Sequence, residues 1–414
     1  MREEDREERR LSWRESGRSV IKLNVRHLWL FGVWPLGTCP LYDAYTAFGF
    51  ALGVWNTVEG VVAACFIWGD LEEMTLVFAN TFTIASGLVK LALYTRDRGL
   101  YSALARRLED LLSVQREVCS EDPELASILR GSRNQAARLT VAMLLMILSQ
   151  AFVWFPIPAI AHPGERRLPF AQHDWDNNTN YYGLSYAVQC VAGVYLSQIS
   201  FGMDCLFAAI MILVAAELKI LSCRIGKLEA DDISKQVEES DNRSGDTTLR
   251  ARQKPYSNLC QCIETHQIIL RFVVRLQNTM SPIAMTQFFF SVIVACMALF
   301  QATYSKDYTA VFRCVTFMPN PCGQVLLYCW AAHNVTEQAA AVSSAAYSCS
   351  WVEANPRFKR DLRIIMCRAQ KPLVLTAGHL YAIKRAAFLT LVNASYSYYA
   401  MLGQMNRRSA QASL

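Results

Sequence analysis

Long apolar runs alternate with charged stretches along this chain. Runs long enough to cross a hydrocarbon layer, which takes ~20 helical residues, lie at Leu41–Trp68, Leu71–Tyr94, Leu139–Ile160, Leu184–Leu213, Ile283–Tyr304, Val311–Ala332 and Ala386–Met405. The sixth contains Pro319, Pro321 and Gly323, so neighbouring helices must satisfy the carbonyls it frees. Between runs, Leu100, Leu104, Leu108, Leu111 and Leu112 recur at helical spacing within Arg96–Arg138, so the second and third spans are expected to continue as helices beyond the membrane. Cys262, Ile269, Phe272, Val273 and Leu276 do the same within Asn258–Gln277, leading into the fifth span. Leu28–Leu36 is short and interrupted by Gly32 and Pro35, and reads as an interfacial docking helix. Arg357–Lys371 is a basic amphipathic helix, followed by a break at Pro372–Tyr381 built on Pro372 and Gly378. Glu229–Tyr256 has too little apolar content to form a core and is expected to be mobile.

Charge sets the expected orientation. Lys and Arg crowd four segments: the N-terminal segment, the loops after the second and fourth spans, and the stretch before the seventh. The opposite side has none after the first span, Arg166 and Arg167 after the third, Lys306 and Arg313 after the fifth, and Arg407 and Arg408 at the end. Basic residues accumulate in cytoplasmic loops. The expected fold is therefore an all-α polytopic membrane protein with seven transmembrane helices, a cytoplasmic N-terminus and an extracellular C-terminus. Its divisions are a cytoplasmic segment with the docking helix (1–40), spans one to four (41–217), a cytoplasmic loop and anchor helix (218–280), spans five and six (281–335), cytoplasmic anchor helices (336–385), the last span (386–406) and an outer tail (407–414). A 53% hydrophobic composition fits one membrane domain. Residues 1–18 are mixed-charge with no apolar run behind them, so no signal peptide is read there.

Little in the chain points to catalysis. There is no His-Glu-x-x-His, no Gly-x-Ser-x-Gly and no phosphate-binding glycine loop, so neither an enzyme nor a cofactor is expected, nor a nucleic-acid partner. The fourteen cysteines fall largely in or beside apolar runs, where Cys behaves as a small hydrophobe. His162 and His173, with Asp174 and Asp176, read as a solvated loop rather than a metal site. Asn177-Asn178-Thr179 is a glycosylation sequon in the one long outer loop. Glu59 and Asp204 lie inside spans; Asp204 is expected to pair within the bundle and Lys90 to snorkel toward the membrane edge. Ile147, Gln150 and Trp154 share one face of the third span, and Ala192, Tyr195 and Ile199 one face of the fourth. Such faces line an apolar pocket with few polar anchors, or simply pack helix on helix. Met401, Gln404 and Met405 share a face of the last helix, which would form a pore constriction in an oligomer or a lipid-facing stripe in a monomer.

The C-terminal stretch carries a resemblance. Its residues are Glu337-Gln338, Ala345-Ala346-Tyr347-Ser348, Trp351, Cys367-Arg368-Ala369-Gln370-Lys371-Pro372, Thr376-Ala377-Gly378, Phe388 and Ser395-Tyr396-Ser397-Tyr398, and they resemble the C-terminal signature of insect odorant receptors. That resemblance implies a subunit of a tetrameric, odorant-gated, non-selective cation channel, assembled with a shared co-receptor in the dendrite membrane of sensory neurons. It implies that Met401 and Met405 stand at the gate, where the co-receptor has Val and Leu, and that Gln404 lines the pore. It implies an odorant pocket at Ile147, Gln150 and Trp154, extended by Asn80, Thr83, Ile84, Ala192, Tyr195, Ile199, Phe312 and Val315. The chain lacks the longer insertion between the fourth and fifth spans that the co-receptor carries, so it resembles a tuning subunit, with a small volatile apolar ligand and membrane lipids as its other partners. The alternatives are a gustatory-type channel, against which the Thr376-Ala377-Gly378 to Tyr381 ending argues, and a G-protein-coupled receptor, which the charge distribution disfavours. A transporter would be expected to show two similar halves, and no internal repeat is seen.

Overall fold

The computed structural model describes residues 16, 19–34, 39–67, 71–157, 160, 168–170, 182–228, 245–305, 308–352 and 354–412. These are helical apart from connecting turns and one small hairpin. In chain order the helices are α1 (Lys22–Leu30), α2 (Pro40–Phe66), α3 (Leu71–Arg96), α4 (Arg98–Glu121), α5 (Pro123–Trp154), α6 (Tyr182–Gly226), α7 (Gly245–Tyr304), α8 (Tyr308–Phe317), α9 (Pro319–Ser348), α10 (Pro356–Ala369) and α11 (Arg385–Ala412). Between α10 and α11, β1 (Thr376–Ala377) and β2 (Tyr381–Ala382) pair antiparallel. Among the described residues, α2, α5, α6, and the 74–96 and 256–304 portions of α3 and α7 are long and apolar enough to cross a membrane.

The core is built around α6. A helix that is apolar all round has to be buried all round, and 94% of the most apolar window of α6 is buried. Its widest contacts are with α9 and α5. At 45 residues it is ~68 Å long, and the 60-residue α7 is ~90 Å, both well beyond the ~30 Å of a bilayer core. The amphipathic stretches seen in sequence account for the excess. Leu104, Leu108, Leu111 and Leu112 of α4 are buried, as are Cys262, Ile269, Phe272, Val273 and Leu276 of α7; Leu100 is exposed. Asp122 caps α5 by accepting from the Glu124 N–H at 2.9 Å, and Lys227, 2.7 Å away, holds its carboxyl below the usual carboxylate range. In α10, Phe358, Leu362, Ile365 and Ala369 form the buried stripe of the basic helix.

Four expectations about the elements change. The helix expected over Leu28–Leu36 lies mostly upstream of it: α1 starts at Lys22 and ends at Leu30, and Val33 and Trp34 fold back, with both N–H groups donating to the Leu28 carbonyl. The second span does not continue unbroken, because the helix ends at Arg96 and α4 restarts at Arg98. Within Glu229–Tyr256, helix α7 already begins at Gly245, so the polar composition there does not prevent helix formation; residues 229–244 lie outside the described residues. The sixth run is two helices, α8 and α9, divided at Met318 because Pro319 has no N–H to continue the ladder.

The break at Pro372–Tyr381 is a hairpin docked on α7. Gln277 accepts from the Thr376 N–H at 2.8 Å and donates to the Thr376 carbonyl at 2.8 Å. Gly378 N–H donates to the Ser281 carbonyl (3.1 Å) and His379 N–H to the Ser281 hydroxyl (3.1 Å). Gly378 has φ +60° and a Cβ there would lie 2.9 Å from Met285 Cγ, so the position needs glycine twice over.

The polar centre of the bundle is Lys90 and Asp204. Lys90 is fully buried, so the snorkelling expectation is corrected: its ammonium turns inward, because a carboxylate waits there. Lys90 Nζ donates to both Asp204 oxygens (2.8 and 2.7 Å), to Ser200 Oγ (2.9 Å) and to Gln287 Oε1 (2.5 Å). Asp204 accepts further from Gln324 Nε2 (2.8 Å) and the Tyr328 hydroxyl (2.9 Å), while Gln287 Nε2 donates to Gln324 Oε1 (2.8 Å) and Ser291 Oγ (2.7 Å). The pair thus joins α3, α6, α7 and α9.

Removing one member leaves an uncompensated buried charge, which costs about 3–5 kcal/mol. Lys90→Met or Asp204→Leu alone is therefore expected to lower Tm sharply in fluorescence-detected size-exclusion melts, and the double variant to recover part of the loss. Unchanged melting of both single variants would contradict the role given to the pair. Gly378→Val is expected to loosen the hairpin and lower Tm in the same assay, with Gly378→Asn, which tolerates positive φ better, falling between.

Candidate functional site

A cavity lies where α3, α5, α6 and the C-terminal end of α8 converge. Asn80, Thr83 and Ile84 of α3 and Ile147, Gln150 and Trp154 of α5 line it, with Phe155, Phe170, Gly193, Val194, Ser197 and Phe317 completing the wall. Its free volume is about 70 Å3. Trp154 is the fixed element. Its indole N–H donates to the Arg313 carbonyl at 3.2 Å, tying α5 to α8, and its ring lies 5.3 Å from Phe317 and 6.4 Å from Phe170. Phe170 is held in turn by its N–H donating to Gln189 Oε1 (3.1 Å), and Gln189 Nε2 donates to Glu59 (2.6 Å). Tyr186 donates its hydroxyl to the Phe155 carbonyl. Gln150 Oε1 is buried with no hydrogen-bond partner.

A second chamber of about 40 Å3 adjoins the first and shares Thr83, Ile147, Ser197 and Phe317 with it. It runs inward past Ser86, Asn320 and Pro321 to Ser200, Gln287 and Gln324, the residues that surround the Lys90–Asp204 pair. Both chambers are lined mostly by apolar surface, and the inner one carries the larger share of polar groups.

Six of the eleven residues expected at a pocket meet here. The other five do not. Ala192, Tyr195 and Ile199 are buried on another face of α6. Tyr195 packs against Phe31 and Tyr45 and fills a notch left by Gly49, where any Cβ would overlap its ring. The cavity takes Gly193, Val194 and Ser197 instead, one or two residues along, and each residue turns a helix by ~100°. The small residues at 193 and 197 were the available signal, since they leave room where Tyr195 cannot. Phe312 and Val315 are more than half exposed, because α8 stops at Phe317 and presents only its last residue to the cavity. Phe155 and Phe170 follow α5 in turn and loop, which helical spacing does not reach.

At the other end of the chain, Met401 is 59% exposed and borders an apolar groove between α7 and α11. Gln404 is exposed, and the Met405 side chain lies outside the described residues. Asn177, His162 and His173 also lie outside them. Among the described residues no cluster of His, Cys, Asp and Glu could hold a metal ion.

Comparison with known proteins agrees with this architecture. Over 398 residues the chain is 22% identical to the odorant receptor Or2 of Anopheles gambiae, covering 92% of this chain and 97% of that one. It is 22% identical over 340 residues to odorant receptor 10 of Aedes albopictus, covering 81% and 85%. The fold matches the insect olfactory receptor OR5 of Machilis hrabei with a TM-score of 0.76 at 17% identity, covering 93% of this chain and 97% of that one. The same receptor in complex with eugenol matches at 0.75. The family model described as 7tm Odorant receptor spans residues 70–396. The chain, a multi-pass membrane protein by its apolar helices, belongs to the 7tm odorant receptor family.

Proposed function

We propose that this chain is the odorant-binding subunit of a ligand-gated, non-selective cation channel, assembled with the odorant receptor co-receptor as a heterotetramer in the dendritic plasma membrane of sensory neurons. The observation that carries the reading is the cavity around Trp154, built from residues of α3, α5, α6 and α8. In this reading seven segments cross the membrane, α8–α9 and α11 being the sixth and seventh. The N-terminus is cytoplasmic and the C-terminus extracellular, as the Lys and Arg distribution supports. A small apolar volatile gains ~25 cal/mol for each Å2 of apolar surface it buries. Eugenol in the solved relative is a ligand of the size class this cavity would take after widening.

Gating follows from volume. Ligand pockets generally hold ~300–1,000 Å3, and this one has about 70 Å3 free. A ligand therefore binds an expanded arrangement better than the compact one, and differential affinity of this kind is what shifts a conformational equilibrium. The residues that must yield are at the α8–α9 break, where Phe317 meets Trp154. Residues beyond that break reach α11, whose outer face carries Met401 and Gln404, with Met405 one turn on. One chain supplies one such helix, so a pore lined by them requires several subunits.

Recordings of ligand-evoked current, with co-receptor present, test both halves. Trp154→Ala removes about 1.5 kcal/mol of apolar contact and is expected to raise the half-maximal ligand concentration roughly tenfold while leaving ion selectivity unchanged. Met401→Glu or Met405→Glu is expected to change cation selectivity or basal leak with little effect on potency. Polar substitutions at 401 and 405 that leave both properties intact would remove these residues from the pore.

A further inference from the structure

Away from the Trp154 cavity, α4 and the first part of α7 enclose a cleft of about 340 Å3. Ligand pockets generally hold ~300–1,000 Å3, so this cleft has room for a guest as it stands. Its walls carry Arg107 and Asp110 from α4 and Arg271 and Arg275 from α7. Arg271 and Arg275 are four residues apart on one helix, which makes them like-charged neighbours on one face. Three guanidiniums against one carboxylate leave the lining with a net charge of +2. The rest of the cleft is largely apolar. Phe272 is buried in its floor, whereas Val114 and Ile268 are 62% and 41% exposed. Gln115, 3% exposed, lines the same cleft, and its amide nitrogen has no hydrogen-bond partner.

Arginine recognises phosphate and carboxylate through a planar fork of donors. A phosphate monoester carries about −1.5 to −2 at neutral pH, which matches the charge of this lining. A monocarboxylate leaves part of that charge unmatched. Inorganic phosphate matches it but leaves Val114 and Ile268 in water. An ester with an apolar body answers both features at once. The cleft also lies too far from the hydrocarbon for a lipid headgroup. Arg275 and Arg271 precede Ile283, the start of the fifth apolar run, by eight and twelve residues, or ~12 and ~18 Å along the helix, whereas a headgroup layer is ~5–8 Å deep.

We infer that the α4–α7 cleft binds a soluble phosphate monoester with an apolar or aromatic body, its phosphate among Arg107, Arg271 and Arg275 and its body against Val114 and Ile268. Its cytoplasmic location rests on the orientation proposed above. The test is calorimetric titration of phenyl phosphate, inorganic phosphate and benzoate into the purified full chain in phosphatidylcholine nanodiscs. Phenyl phosphate is expected to bind about tenfold or more tightly than either of the others, and to weaken as salt rises. Arg271→Gln and Ile268→Ser, both at exposed positions, are expected to keep the native Tm. The first should weaken phenyl phosphate about tenfold, the second about threefold without changing inorganic phosphate. Phenyl phosphate no tighter than inorganic phosphate, an affinity unmoved by Arg271→Gln, or competition from phosphatidylinositol bisphosphate placed in the nanodiscs would overturn the inference. Ile268→Cys separates site from orientation. Measured against the native chain, it is expected to react with a membrane-impermeant maleimide only in permeabilised cells, and more slowly with phenyl phosphate present. Reaction in intact cells would overturn the orientation and leave the site standing.

Discussion

A charge pair at the middle of an apolar bundle can be sustained only if every neighbouring group is placed to serve it. Lys90 and Asp204 are buried at 0% and 1% exposure, and both are hydrogen-bonded from several helices. The cost of desolvating two ions is offset only with this kind of geometry. The pair therefore fixes the rotation of α3, α6, α7 and α9 about their axes, since turning any one by a single residue would aim Lys90, Asp204, Gln287 or Tyr328 away from the centre. Non-directional apolar packing could not specify register so tightly.

The cavity depends on that register. Thr83 and Ser86 lie on the same helix as Lys90, and Ser197 and Ser200 on the same helix as Asp204. Once the ion pair sets the two helices, these hydroxyls are carried into position one and two turns away. Polar core and cavity are thus one construction, the saturated network forming the floor beneath a chamber with unpartnered polar groups.

Much of this was legible from residue order, and the failures have a common cause. The α5 lining residues and the buried stripes of α4, α7 and α10 follow from periodicity, because each of those stretches buries one face, whereas the α3 lining residues came only with the family resemblance. The α6 residues do not, because α6 is buried on all sides and its apolar pattern has no preferred face. Only the size of side chains distinguishes the face that packs, with Tyr195, from the face that leaves space, with Gly193 and Ser197. Lys90 was misplaced for a related reason: a long cation near a helix end has two ways to satisfy itself, and only the three-dimensional position of Asp204 decides between them.

The division at Met318 bears on how such a receptor can diversify. Phe317 belongs to the short helix on one side of it, and Asn320 and Gln324 to the long helix on the other. Proline interrupts the hydrogen-bond ladder between them, so the two sides can shift separately. Substitution of Phe317, the one α8 residue on the cavity, would reshape its wall without touching the ionic core that α9 serves. The wall of the cavity and the charged centre of the bundle are thereby assigned to adjacent but separable pieces of backbone, an arrangement that lets sequence drift reshape one while the other persists.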